Sequence, residues 1–124
     1  MSRNAPTPKT RGLVLARDNH TCAGCGKPVG GAYTWWSLQH RVARGVGGQN
    51  TPENLISLCG SATSRGCHLA CEQRSADMHD RGLWLASYED PALRPVTYWD
   101  GRVAWLTSQG GLVYEAPAGT EGAA

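Results

Sequence analysis

Five cysteines and four histidines hold most of the reactive chemistry in this 124-residue chain. Cys22 and Cys25 stand in a Cys-Ala-Gly-Cys-Gly turn, and Cys59 and Cys67 follow a stretch that holds His40 and Asn54. A tight turn of small residues lets backbone amides approach both thiolates, which suits zinc. The competing reading is a redox Cys-x-x-Cys, but that would open a helix after a strand, and here Gly26, Lys27 and Pro28 follow. Cys22, Cys25, Cys59 and Cys67 make a complete tetrahedral set that would tie the knuckle to the start of a helix. The seven residues between Cys59 and Cys67 exceed an ordinary knuckle spacing, so Cys71 is a rival for the fourth place. On a helix Cys67 and Cys71 share one face, and His68 is rotated by about 100° from Cys67. Cys67 can then face a structural zinc while His68 faces a different site.

The elements that must position these groups are short. Tyr33 to Val42 reads as a strand in which Trp36, Leu38 and His40 share one face and Ser37, Gln39 and Arg41 the other. A histidine on an apolar face is either a hydrogen-bonded core residue or a functional one, and the strand alone does not decide. Arg44 to Glu53 is a Gly-rich loop, and Asn54 to Leu58 is a second strand ending at Cys59, so a compact return brings Asn54 near the His40 strand. Upstream, Lys9 to Asn19 is a short helix with Thr10 as N-cap and Leu13, Ala16 and Arg17 on one side. Downstream, Gly60 to Gly66 is a flexible excursion, and Cys67 to Arg81 is a helix capped by Ser64 and stopped by Gly82. Val96 to Thr107 forms a hairpin about Asp100-Gly101, whose residues suit a type I′ turn, and Leu112 to Tyr114 extends it to a meander.

The length allows one domain with a thin core. No apolar run approaches the roughly 18 to 20 residues of a bilayer span, and the N-terminal MSRNAPTPKTRG has no h-region. The expectation is therefore a soluble, non-secreted protein with reduced thiols. The net charge of +2 is unevenly spread. The basic residues of the first 44 positions face Asp18 alone, whereas beyond residue 75 only Arg81, Arg94 and Arg102 offset the acids. A basic front half suits a polyanion, though ten Arg to two Lys also fits a GC-rich genome.

Taken in order, Cys-x-x-Cys, Leu38-Gln39-His40-Arg41, Gly47-Gly48, Asn54-Leu-x-x-Leu-Cys59 and Cys67-His68 resemble the HNH endonucleases, above all the zinc-stapled proteins of phage genomes. The resemblance covers about residues 20 to 72. It implies an α+β fold with a ββα-metal core over residues 9–82, stapled by a structural zinc knuckle. A C-terminal β extension over 83–115 would follow, with disordered ends at 1–8 and 116–124. It further implies that His40 is the general base, that Asn54 orients the loop and His40, and that His68 ligates a catalytic Mg²⁺, Mn²⁺ or Ni²⁺. The partner would be DNA, the products would carry 5′-phosphate and 3′-hydroxyl ends, and the setting would be the cytoplasm of a bacterium or phage-infected cell. Related proteins act beside the terminase in genome packaging, and the acidic C-terminal meander could dock such a partner.

The residue types agree with that chemistry. A neutral imidazole, with an ordinary pKa of about 6.5, can accept a proton from water near neutrality. Many family members carry Asp or His where this chain has Gln39, a ligand without charge that reaches the metal only if the strand bulges. Glu72, one turn after His68, could accept the other ring hydrogen, but a solvated helix face is the expectation. Arg41 and Arg44 flank the base and suit phosphate. His20 and His79 are expected at the surface, and the five Trp in core and hairpin packing. Two alternatives stand beside the nuclease. One is a non-catalytic zinc module that binds DNA or a packaging protein, and the other is a zinc-thiol redox protein with accessible, acidic thiols at Cys22 and Cys25.

Overall fold

A computed structural model describes residues 5–118. The expected terminal disorder therefore falls outside the described residues at 1–4 and 119–124, while Pro8 already lies in helix. Helix α1 spans Pro8–Arg17, with Thr7 rather than Thr10 as N-cap: the Thr7 hydroxyl accepts from the Thr10 amide, and Pro8 occupies the first turn, where no amide donor is needed. Strands β1 (Trp36–His40) and β2 (Leu55–Cys59) pair antiparallel, from Trp36 opposite Cys59 to His40 opposite Leu55. Between them the chain makes single 3₁₀ turns at Arg44–Val46 and Pro52–Asn54, so Asn54 ends a turn rather than opening the strand. Two short helices follow, α2 (Cys67–Glu72) and α3 (Ala76–Asp80). A three-stranded meander of β3 (Val96–Thr97), β4 (Val103–Leu106) and β5 (Leu112–Val113) completes the fold.

The single helix expected from Cys67 to Arg81 is two helices. Arg74 adopts a left-handed φ of 59°, and Ser75 restarts the chain by capping the Met78 amide. The first helix also begins without a side-chain cap: Gly66, not Ser64, takes the N-cap position. No helix among the described residues is long and apolar enough to cross a membrane.

Strand β2 is buried along its whole length, which explains why Leu55, Ile56 and Leu58 are apolar on both faces. On one side Leu55 packs with Val14 of α1 and Leu38. On the other, Ile56 and Leu58 join Cys22, Val29 and Leu83 together with Val96, Tyr98, Ala104 and Leu106 of the meander. The C-terminal extension is thus built into the same core as the cysteine-rich unit. A polar bond reinforces this: the Tyr98 hydroxyl donates to the buried carboxylate of Asp18 at 2.6 Å. Asp18 also takes the Ser57 amide at 2.9 Å and pairs with Arg17, whose guanidinium reaches the carbonyls of Pro52 and Leu55.

Arg41 is a correction to the sequence reading. Instead of flanking a phosphate site, its side chain is 1% exposed and donates to the carbonyls of Gly82, Glu53, Pro91 and Arg94 at 2.7 to 2.8 Å. Full burial pushes its pKa down to about 9, so it stays charged at neutral pH. A planar fork of five N–H donors can satisfy several carbonyls that no other side chain could serve together. Arg41 thereby joins the segment 82–94 to the β1–β2 unit, where the Leu85 amide also donates to the Arg41 carbonyl.

Replacing Arg41 by Ala removes the donor from four carbonyls, so the expected loss is about 3 kcal/mol or more in urea unfolding, with Arg41→Lys recovering only part. Unfolding of Arg41→Ala within about 0.5 kcal/mol of the parent protein would show that the clamp is not structural.

Candidate metal centre and adjoining hollow

The four cysteines expected to bind metal come together. One sulfur from each of Cys22, Cys25, Cys59 and Cys67 lies within 4.8 Å of the others. The first two come from the knuckle, in which the Gly26 amide closes onto the Cys22 carbonyl and the Cys22 amide onto the Lys27 carbonyl. The knuckle is docked on β2 through the Ala23 amide, which donates to the Ser57 carbonyl at 2.8 Å. Cys59 ends β2 and Cys67 opens α2, and the long excursion between them is a closed loop whose ends meet. Gly60, at φ 81°, makes that closure possible, since a Cβ there would lie 1.7 Å from the Arg65 carbonyl oxygen. Gly24 is needed for another reason: a Cβ on it would approach the Cys67 sulfur to 2.7 Å and close the space between the pairs.

The donor set fits zinc. Tetrahedral thiolates at about 2.3 Å from zinc lie about 3.8 Å apart, and the Cys25 and Cys59 sulfurs are 3.7 Å apart. The Cys67 amide points at the Cys59 sulfur, at 3.4 Å, as an amide supporting a thiolate does. Without a cation these groups compete for protons. The Cys67 thiol, by hydrogen bonding, favours the Cys22 thiolate and lowers its pKa to about 5, while its own pKa rises. Burial pushes the Cys25 thiol up to about 11. Four crowded sulfurs cannot all ionise unless a cation compensates them.

Cys71, the rival ligand, lies outside this cluster and is buried in the core. Burial pushes its thiol up to about 12, so it behaves as a small apolar residue. The thiol-redox alternative fits poorly, because Cys22 has no exposed surface and the exposed Cys25 has a raised pKa.

Next to the cluster, β1, the following loop and α2 enclose a hollow of about 550 Å³. His40 and His68 both line it, with Gln39 and Glu72. Arg11, stacked over Trp36 at 5.1 Å, and Arg44, in the first 3₁₀ turn, line it as well. Among the described residues that line it, Glu72 is the sole carboxylate. Burial lowers the pKa of both imidazoles, partly countered by Asn50 at His40 and by Glu72 at His68. Both rings are therefore neutral at neutral pH.

Asn54 lies 1% exposed and does not bond His40. Its amide accepts from the Val42 N–H and donates to the carbonyls of Val42 and Gln49, which closes the loop between the strands. The residue that holds the His40 ring is Asn50, 2.7 Å from Nε2. Sequence reading missed Asn50, which has no signal beyond its place in the loop between His40 and Asn54. Ser37 was missed too: it bonds His68 Nδ1 and the Gly60 carbonyl. The partner of His68 Nδ1 is thus Ser37 and not Glu72. Gln39 is 4% exposed in a strand whose pairing runs without a bulge. His20 is exposed, and His79 is half-buried, 2.8 Å from Glu89.

One zinc per chain is expected in protein purified without chelator, and Cys22→Ser or Cys59→Ser should lose it while Cys71→Ala keeps it; metal analysis by mass spectrometry decides. Zinc retained in Cys59→Ser and lost in Cys71→Ala would reassign the ligands.

No family model matches the chain, and neither a curated protein nor a solved structure matches it.

Proposed function

We propose that this protein is a metal-dependent DNA endonuclease of the HNH type, in which β1, β2 and α2 act as a ββα-metal core. The observation that carries the reading is the meeting of His40 and His68, from separate elements, at one hollow that Arg11 and Arg44 also line. The zinc-fitting cysteine cluster beside it supports the reading, because it fixes where α2 begins and hence where His68 stands.

In this reading His40 takes the proton from the attacking water. Its Nε2 faces the Asn50 amide oxygen and therefore carries the hydrogen, which leaves the Nδ1 lone pair as the base. Asn54 acts at one remove, by holding the loop that carries Asn50. His68 would hold the catalytic divalent cation, with Gln39 and Glu72 beside it. Such a cation, when bound, offsets the charge that builds on the phosphodiester oxygens. Arg44, and Arg11 from α1, supply phosphate contacts in place of the buried Arg41. Because these contacts are to the backbone, binding carries little sequence preference and weakens with salt. The acidic C-terminal meander would be the surface through which a terminase or other packaging protein is met.

A second reading, a non-catalytic zinc module that binds DNA or a packaging protein, draws on one observation: the position before His40 holds an uncharged, buried Gln39. Among the described residues lining the hollow, Glu72 is the carboxylate that would make up the missing charge.

Supercoiled plasmid separates the readings. Nicking or cutting is expected with Mg²⁺, Mn²⁺ or Ni²⁺ and not with EDTA, and His40→Ala and His68→Ala should each lose about 100-fold or more. Glu72→Gln should raise the metal concentration needed for half-maximal cleavage about tenfold. Zinc-loaded protein that binds DNA but cleaves with none of these metals would overturn the nuclease reading in favour of the second.

A further inference from the structure

Ser37 occupies the β1 face opposite Trp36 and Leu38, and its hydroxyl meets two groups at once. It is 2.8 Å from the Gly60 carbonyl oxygen and within a short hydrogen bond of His68 Nδ1. A serine hydroxyl has one proton, and a carbonyl oxygen can only accept. Were the proton given to His68, the hydroxyl and the carbonyl would face each other with lone pairs alone. Both contacts are satisfied in a single arrangement: Ser37 donates to Gly60, and His68 donates its Nδ1–H to Ser37.

We infer that Ser37 is a positioning residue that fixes His68 as the Nδ1–H tautomer, so that Nε2 carries the ring's lone pair. The use of that lone pair as a metal ligand rests on the nuclease reading; the tautomer does not. The receiving end of this relay is rigid. Gly60 follows Cys59 directly, its amide donates to the Trp35 carbonyl, and its positive φ sets where its carbonyl points. The donating end is tied to the same cluster, because His68 follows Cys67. Two adjacent positions of the metal centre are thus linked, through one hydroxyl of β1, to the ring at the hollow. The histidine enters the hollow with its orientation and its lone pair set before any ligand arrives.

The test reads the tautomer directly. Long-range ¹H–¹⁵N correlation spectra of zinc-loaded protein at about pH 8, where a neutral imidazole prevails, distinguish Nδ1–H from Nε2–H, and the missing signal in His68→Gln assigns the ring. The parent protein is expected to show Nδ1–H at His68. Ser37→Ala, with zinc content unchanged, should move the ring to a mixture or to Nε2–H, and Ser37→Thr should restore Nδ1–H. An Nε2–H ring in the parent protein overturns the inference without reference to any variant. So does a ring that remains wholly Nδ1–H in zinc-loaded Ser37→Ala. The spectra need no cleavage, so an inactive protein with an Nδ1–H His68 would sink the nuclease reading and leave the relay standing.

Discussion

The convergence of four sulfurs from three parts of the chain is the constraint on which the rest depends. The knuckle at Cys22 and Cys25, the end of β2 at Cys59 and the start of α2 at Cys67 have little else in common, and their sulfurs meet within 4.8 Å. Helix α2 has only six residues, too few to be stable alone, and it lacks a side-chain N-cap. Its position must come from what holds its first residue. A cation shared by the four thiolates would remove their mutual repulsion and turn that crowding into binding free energy.

Around this centre, buried polar groups do the work that a larger core would otherwise do. Arg41 serves four carbonyls, Asn54 closes the loop from both sides of Val42, and Asp18 joins α1, β2 and the meander. Each is specific in direction, so together they fix one arrangement of short elements that apolar packing alone would leave loose. The histidines of the hollow are neutral because burial disfavours the charged ring, and the rings are held by Asn50 and Ser37.

Local signals in the sequence were good guides to local structure. The alternation around Leu38 located β1, the spacing of the cysteines located the cluster, and the Asp100-Gly101 pair located the hairpin between β3 and β4, although of the two only Gly101 has a positive φ and the turn is not the type I′ expected. Long-range partners were not legible. Nothing near Arg41 indicates that Gly82, Pro91 and Arg94 would return to surround it, and a surface arginine beside the histidine was the natural reading. The helix break at Arg74 was equally hidden, because no glycine or proline marks its left-handed backbone. Asn54 illustrates an intermediate case. The motif marks it as important, but which group it holds is decided by the loop's path, and it holds backbone while Asn50 holds the ring.

A zinc-loaded cysteine cluster would hold α2, and hence His68, against β1, and amide hydrogen exchange on zinc-loaded and chelator-treated protein measures that hold. Removing the metal is expected to deprotect first the amides around Cys59 and along Cys67–Glu72, ahead of those binding the meander to the core. Equal protection of α2 with and without zinc would contradict it, and would mean that something other than the cluster keeps His68 in place.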